Sequence, residues 1–180
     1  FYALRPPRVI PALLEYNRTA AHKGGRFMTE GGQPRYRTVR GYQLVNRKGQ
    51  ELTPAMEDYL EMAYKLCEQN GYARVSQLSR ELSVRASSAS KMILKLTELE
   101  YLAYDQCESV SLTPKGRAMG AYLLLRHDVI EGFLRAIGSR RPLEEAELIE
   151  HFLSPHTVER LQALLPRLEQ APTPDLLPPG

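Results

Sequence analysis

The 180-residue sequence has two cysteines, no tryptophan and no apolar run long enough to cross a bilayer. Cys67 and Cys107 are too few for a disulfide framework, and they lack the paired spacing of a zinc finger. A membrane-spanning helix needs about 18 or more consecutive apolar residues. These absences argue against a small secreted scaffold and against a membrane protein, so we expect a cytoplasmic protein.

Charge is distributed unevenly along the chain, although the formal net charge is only +3. Residues 1–50 contain ten Lys or Arg and two Glu, whereas residues 51–180 contain fourteen basic and nineteen acidic side chains. The first segment is also rich in Pro and Gly, which predicts a mobile basic arm. Such an arm suggests a polyanionic partner, although a solvated tail with a charge bias would look the same.

Three pairs of residues mark the starts of helices, because each places an N-cap hydroxyl before a proline at the first helical position. The pairs are Thr53-Pro54, Thr113-Pro114 and Ser154-Pro155. The first helix is predicted to end near Asn70, with Cys67 as a small core residue. The second is predicted to reach about Ile137, and the third about Leu168. The second helix has more apolar positions than one small core can bury, which predicts that two subunits pair.

The segment between the first two of these helices has the order of a winged helix. A short helix capped by Ser76 is followed by a turn and by another helix over residues 86–98. Two β-prone runs, residues 101–104 and 109–112, then predict a hairpin. This order predicts a winged helix-turn-helix, with three helices and a small β-hairpin wing.

The helix over residues 86–98 has the composition of a DNA-recognition helix. Small hydroxylated residues at its start permit close approach to a groove, and Lys91 can reach a phosphate or a guanine edge. The candidate DNA contacts are Arg85, Ser87, Ser88, Ser90, Lys91 and Lys95, with Arg35, Arg37 and Arg40 of the arm in support. The wing tip carries Asp105 and Glu108, which would repel phosphate. A metal-free winged-helix module that binds proteins is the alternative.

Carboxylates and histidines recur on the polar faces of otherwise amphipathic helices. The candidates are Asp58, Glu61, His127, Glu147, Glu150 and His151. The last three share one face of a helix predicted over residues 143–153, opposite an apolar face that includes Leu148 and Phe152. Taken singly, these residues are typical of solvated acids and core histidines. Taken together, they fit a divalent-metal site with oxygen-rich ligands, and a metal-dependent hydrolase is an alternative use of such a set.

Several longer motifs stand out between residues 52 and 165. They are TPAMEDYLE (53–61), GYARVSQLS (71–79), SSASKMILKL (87–96), LLRHDVIEGFL (124–134) and ELIEHFLS (147–154). With these motifs the chain resembles the manganese transport regulator branch of the diphtheria-toxin-repressor family. The resemblance implies a mainly α homodimer, with a winged helix-turn-helix domain over residues 51–115. A helical metal-binding and dimerisation domain over residues 116–170 and a Pro-rich tail over residues 171–180 would follow.

The resemblance also implies a metal-activated transcriptional repressor, not an enzyme, whose six side-chain ligands fall on the six candidates. In the iron-sensing branch the position of Asp58 is typically Met and that of Glu147 typically Cys, so carboxylates replace two softer ligands here. This replacement favours manganese, although Fe²⁺, Cd²⁺ or Zn²⁺ can occupy such a site. Six ligands that include four carboxylates suit two divalent cations better than one, so we expect two Mn²⁺ per subunit. An iron-responsive repressor is the alternative. The expected partners are a second subunit and the palindromic, double-stranded operator DNA of metal-uptake genes, with no membrane.

Overall fold

The computed structural model describes residues 51–105 and 109–170, and within them the protein is mainly helical, as expected. The elements in chain order are α1 (Pro54–Asn70), β1 (Ala73–Arg74), α2 (Val75–Glu81), α3 (Ala86–Glu98), β2 (Leu102–Tyr104), β3 (Ser109–Leu112), α4 (Pro114–Ala136), α5 (Pro142–Ile149), a 3₁₀ turn (Glu150–Phe152) and α6 (Pro155–Gln170). The predicted basic arm, most of the wing tip and the predicted Pro-rich tail lie outside the described residues.

The chain forms two compact units, and the division falls between Ala121 and Tyr122, within α4. The first unit contains the helix-turn-helix and the sheet, and the second contains the rest of α4 together with α5, the 3₁₀ turn and α6. No helix among the described residues combines the length and the hydropathy needed to cross a bilayer.

Helix α1 begins and ends where the sequence predicts. The Thr53 hydroxyl accepts a hydrogen bond from the Met56 amide at 3.3 Å, and Gly71 ends the helix with φ 82°. The Gly71 amide donates to the Cys67 carbonyl at 2.8 Å. A glycine in the left-handed backbone conformation is a common end of a right-handed α-helix. Cys67 itself is a buried core residue, and burial raises the pKa of its thiol. The interpretation of Cys67 as a structural residue is therefore confirmed.

The helix-turn-helix is formed by α2 and α3, and α3 has the predicted bounds. The prediction that Ser76 caps α2 is wrong, because the N-cap residue is Arg74. Its amide donates to the Gln77 side chain at 2.9 Å, while its extended backbone pairs with β3. The strand pairing therefore sets the start of α2. Between α2 and α3 the chain turns through Ser83, which has φ 54°.

The sheet has three strands in the order β1-β3-β2, all antiparallel. The predicted hairpin of β2 and β3 is confirmed, with Leu102 opposite Leu112 and Tyr104 opposite Val110. The additional strand β1 places Ala73 opposite Val110, and both side chains are fully buried. Two residues are too short for an alternating pattern, which is why the sequence did not indicate this strand.

A small polar network ties residue 51 to the base of the wing. The Tyr101 hydroxyl donates to the Glu51 carboxylate at 2.6 Å, and Lys115 donates to the same carboxylate at 3.1 Å. The Lys115 ammonium also lies 4.2 Å from the centre of the Tyr101 ring. Next to it, the backbone of Gly116 packs directly on the Tyr101 carbonyl, and a Cβ atom at Gly116 would lie only 1.8 Å from that oxygen.

The second unit has its small core around Ile130, Leu134 and Ala146, with Leu153 packed against it. The predicted helix over residues 143–153 is wrong in its second half, because α5 ends at Ile149 and a 3₁₀ turn follows. The predicted apolar face is largely exposed in the single chain, with Leu148 at 67% and Phe152 at 52%. By contrast, Glu150 is buried at 1%. The polar side chain points inward because it has partners there.

We expect Gly116→Ala to lower the free energy of unfolding by about 2 kcal/mol or more, because the new methyl group would clash with backbone. Gly132→Ala is the matched control in the same helix, since its methyl group would meet only the Leu165 side chain at an ordinary 3.5 Å. The free energy of unfolding of that control should be unchanged or higher by about 0.5–1 kcal/mol. Urea denaturation followed by circular dichroism measures both, and equal effects would contradict this account.

Candidate metal centre

Three side chains of the second unit converge on one point. They are His127 from α4, Glu147 from α5 and Glu150 from the 3₁₀ turn, and their ligand atoms all lie within 4.8 Å of one another. His127 Nδ1 is 3.0 Å from Glu150 Oε2 and 3.7 Å from Glu147 Oε1. His127 and Glu150 are buried, whereas Glu147 is exposed. The group therefore has a buried floor and an open carboxylate at its edge.

The two oxygens of Glu150 face different partners. Oε2 contacts His127, whereas Oε1 lies 3.4 Å from a terminal nitrogen of Arg126 and 3.7 Å from Nε2 of His151. A carboxylate whose two oxygens face different groups links those groups to one another. Glu150 is thus the central residue of the cluster, and His151 lies on its Oε1 side.

Glu150 remains ionised despite its burial. Burial by itself raises the pKa of this carboxyl, but the hydrogen bond with His127 and the positive charges around it outweigh that effect. They are the permanent charge of Arg126 and the electrostatic influence of His127 and His151, and the net result is a pKa below the ordinary value. The cluster therefore presents a carboxylate, the form that binds metal ions, at neutral pH.

Two residues next to the cluster were not among the predicted ligands. Arg126 is 4% exposed and contacts both Glu150 and His151. Its sequence position next to His127 did not indicate these contacts. Glu131 Oε2 lies 4.0 Å from His127 Nε2, and it also pairs with Arg135. The spacing of four residues between His127 and Glu131 on one helix was the available signal for that contact.

The donor atoms suit a divalent cation. Carboxylate oxygens and imidazole nitrogen bind ions such as Mn²⁺, Fe²⁺ and Zn²⁺, and the three converging side chains include no sulfur. The side chains present are therefore of the types that bind a divalent metal ion.

The structure brings together four of the six predicted ligands, and the other two lie in the first unit. The four are His127, Glu147, Glu150 and His151. Asp58 and Glu61 are on α1, where Asp58 is exposed and Glu61 is buried and paired with Lys65 at 2.7 Å. That Asp58 and Glu61 belong to the same site stays a prediction.

Among the predicted DNA contacts in α3 and at its N-cap residue Arg85, all but one are exposed. The exposed ones are Arg85, Ser87, Ser88, Lys91 and Lys95. Ser90 is partly buried, and its hydroxyl donates to the Ala86 carbonyl at 3.0 Å within the helix. The arm residues Arg35, Arg37 and Arg40 lie outside the described residues.

Two family models match the chain in succession. The model described as the iron dependent repressor, N-terminal DNA binding domain, matches residues 51–110. The model described as the iron dependent repressor, metal binding and dimerisation domain, matches residues 113–178. The cluster around Glu150 thus falls within the second match, and α3 falls within the first.

Similar proteins are transcriptional regulators. The HTH-type transcriptional regulator MntR of Bacillus pumilus (strain SAFR-032) is 43% identical over 121 residues, which are 66% of this chain and 84% of that protein. The manganese regulator SloR has a solved structure that is 34% identical, with a TM-score of 0.56. IdeR of T. acidophilum is 27% identical, also with a TM-score of 0.56. The matches cover 64% and 69% of this chain, but only 55% of the SloR chain and 58% of the IdeR chain.

We expect Glu150→Ala to destabilise the metal-free protein by about 3 kcal/mol, because it removes one partner of the buried Arg126–Glu150 ion pair. Glu144→Ala is the control, since Glu144 is exposed and its pair with Arg141 is solvated, so the change should stay within about 0.5 kcal/mol. Thermal unfolding in the presence of a chelator measures both variants. A Glu150→Ala protein as stable as the control would show that the cluster does not hold the second unit together.

Proposed function

The chain belongs to the iron-dependent repressor family, and on this premise we propose that it represses metal-uptake genes in response to manganese. The protein is a metal-responsive, DNA-binding transcriptional repressor, and it is not an enzyme. The hydrolase alternative and the metal-free alternative are thereby set aside. As a regulator of operator DNA, it is proposed to act in the cytoplasm of a bacterial cell.

The observation that carries the proposal is the convergence of His127, Glu147 and Glu150 within 4.8 Å. Manganese is favoured over iron because Glu147 supplies a hard carboxylate where the iron-sensing branch typically has a sulfur ligand. The names of the relatives MntR and SloR point to the same metal. Mn²⁺ binds most such sites more weakly than zinc or copper, so selectivity has to come from geometry and not from affinity.

We infer two cations per subunit. Glu150 can serve both, since one of its oxygens faces His127 and the other faces His151. The charge supports the same count, because the four carboxylates of the proposed ligand set are balanced by two divalent cations and not by one. Asp58 and Glu61 complete the set in this proposal, in line with the family resemblance.

The proposed switch links the two domains through their carboxylates. Bound metal would neutralise the mutual repulsion between Asp58 and Glu61 of the winged helix and the acids of the second unit. Without that neutralisation the winged helices sample many separations, so the DNA-competent spacing is only a fraction of the population. Linkage requires the effect to be reciprocal, and operator DNA should tighten Mn²⁺ binding by the same factor, typically about 5- to 150-fold.

The operator is proposed to be palindromic, because the repressor is proposed to bind it as a homodimer. The exposed apolar side chains of the second unit, such as Leu148 and Phe152, are a surface that a second copy can cover. Two copies of α3 then enter successive major grooves about 34 Å apart. Ser87 and Lys91 lie one helical turn apart on the exposed side of α3, which suits groove contact.

We expect Glu147→Ala to abolish manganese-dependent DNA binding while leaving the protein folded, because Glu147 is an exposed member of the cluster. Glu144→Ala, on the same helix and outside the cluster, should behave as wild type. Operator DNA is first selected from random sequence with wild-type protein and Mn²⁺, and affinities are then measured by fluorescence anisotropy. Retention of a manganese response in Glu147→Ala would contradict the proposed site, and recovery of a single half-site would contradict the palindrome.

We expect Lys91→Ala to weaken operator binding by about 1–3 kcal/mol without changing Mn²⁺ affinity in the absence of DNA. Its matched control is Arg117→Ala, which removes an equal charge from α4, where Arg117 pairs with Glu68. Repeating the measurement at several salt concentrations distinguishes the target of Lys91. A salt slope smaller by about one indicates a phosphate contact, whereas relaxed specificity at one base pair indicates a base contact. An unchanged affinity would remove Lys91 from the interface.

A further inference from the structure

Arg126 is a buried cation within the proposed ligand set. It lies on α4 beside His127 and is only 4% exposed. One of its terminal nitrogens is 3.4 Å from Glu150 Oε1 and 3.2 Å from His151 Nδ1. A guanidinium carries its positive charge at all accessible pH values, so these two residues already have a cation between them when no metal is bound.

The position of Arg126 differs from the position where the other ligands converge. His127 and Glu147 lie on the Oε2 side of Glu150, whereas Arg126 and His151 lie on the Oε1 side. Glu150 therefore stands between two places that each suit a positive charge. The first place offers three ligand atoms within 4.8 Å, and the second contains the arginine.

The contact with His151 also determines which ring nitrogen carries a hydrogen atom. A guanidinium can only donate, so His151 Nδ1 must accept, and the neutral ring then has its hydrogen on Nε2. The Nδ1 lone pair is engaged by Arg126, and Nε2 has none to offer. As long as Arg126 remains there, His151 presents no lone pair that a metal ion can use.

We propose that the positively charged guanidinium of Arg126 occupies the place of the second metal ion in the metal-free protein and competes with that ion for Glu150 and His151. The proposal rests on the two-cation site proposed above. A metal ion can bind beside His127, Glu147 and Glu150 Oε2 while Arg126 stays in place. A second metal ion can bind beside Glu150 Oε1 and His151 only after Arg126 has moved away from them. The second binding step is therefore weaker than the first, and Arg126 sets the metal concentration at which the repressor is fully loaded.

The test uses the full-length, metal-free protein titrated with Mn²⁺, with stoichiometry from native mass spectrometry and affinities from calorimetry. Arg126→Met removes the charge while keeping a long side chain, and Arg117→Met removes an exposed arginine from the same helix as control. We expect the second affinity of Arg126→Met to rise about tenfold, since a hydrogen-bonded charge no longer competes. The first affinity should change little, and Arg117→Met should match wild type.

A second readout is the thermal unfolding of the same proteins. Without metal, Arg126→Met should have a lower melting temperature than wild type, because Glu150 loses a buried partner. Added Mn²⁺ should raise the melting temperature of Arg126→Met by more than it raises that of wild type. If Arg126→Met does not fold, Arg126→Lys takes its place, since it keeps the charge but not the planar geometry that reaches both partners. A smaller rise in the second affinity is then expected.

The outcomes separate the two proposals. Wild type that binds no Mn²⁺ would overturn the proposed function and this inference with it. Wild type that binds two Mn²⁺, with a second affinity that is unchanged or lower in the Arg126 variant, would overturn the inference alone, because Arg126 would then only orient its neighbours. Wild type that binds one Mn²⁺ and a variant that binds two would support it, whereas one Mn²⁺ in both would overturn it.

Discussion

The burial of the Glu150 carboxylate is the interaction on which the second unit depends. A buried carboxylate is costly unless charged partners surround it, and Glu150 has them in His127 and Arg126, 23 and 24 residues earlier in the chain. To reach them, α5 gives way to a 3₁₀ turn. With Glu150 directed inward, Leu148 and Phe152 are exposed, so the candidate metal centre and an apolar surface lie on the same short segment.

In the proposed mechanism the Glu150 carboxylate is balanced by Arg126 without metal and by a divalent cation when metal is bound, and this exchange is the basis of sensing. Here the acids and the arginine form a stable metal-free arrangement, in which the pKa of Glu150 lies below its ordinary value. In the mechanism that we propose, metal competes with this existing partner, and the competition sets the metal concentration at which the site fills.

The first unit is held together differently from the second. Its helices are fixed by local capping contacts and by a small three-stranded sheet. Thr53 and Gly71 define the ends of α1, and β1 pairs with β3 just before α2 begins. The polar contacts of Glu51 with Tyr101 and Lys115 hold residue 51 against the base of the wing. These contacts support α3, which exposes the side chains of Ser87, Ser88, Lys91 and Lys95.

The sequence by itself determined the starts of α1, α4 and α6, the helix-turn-helix, the hairpin and the family, because caps, prolines and periodicity are local signals. It also named His127, Glu147, Glu150 and His151, which the structure brings together. The tertiary structure alone decided that α5 stops at Ile149, that β1 joins the sheet, and that Arg126 lies among the ligands. Each of these depends on a partner distant in sequence, and local spacing carries no information about which distant charge or strand a residue will meet.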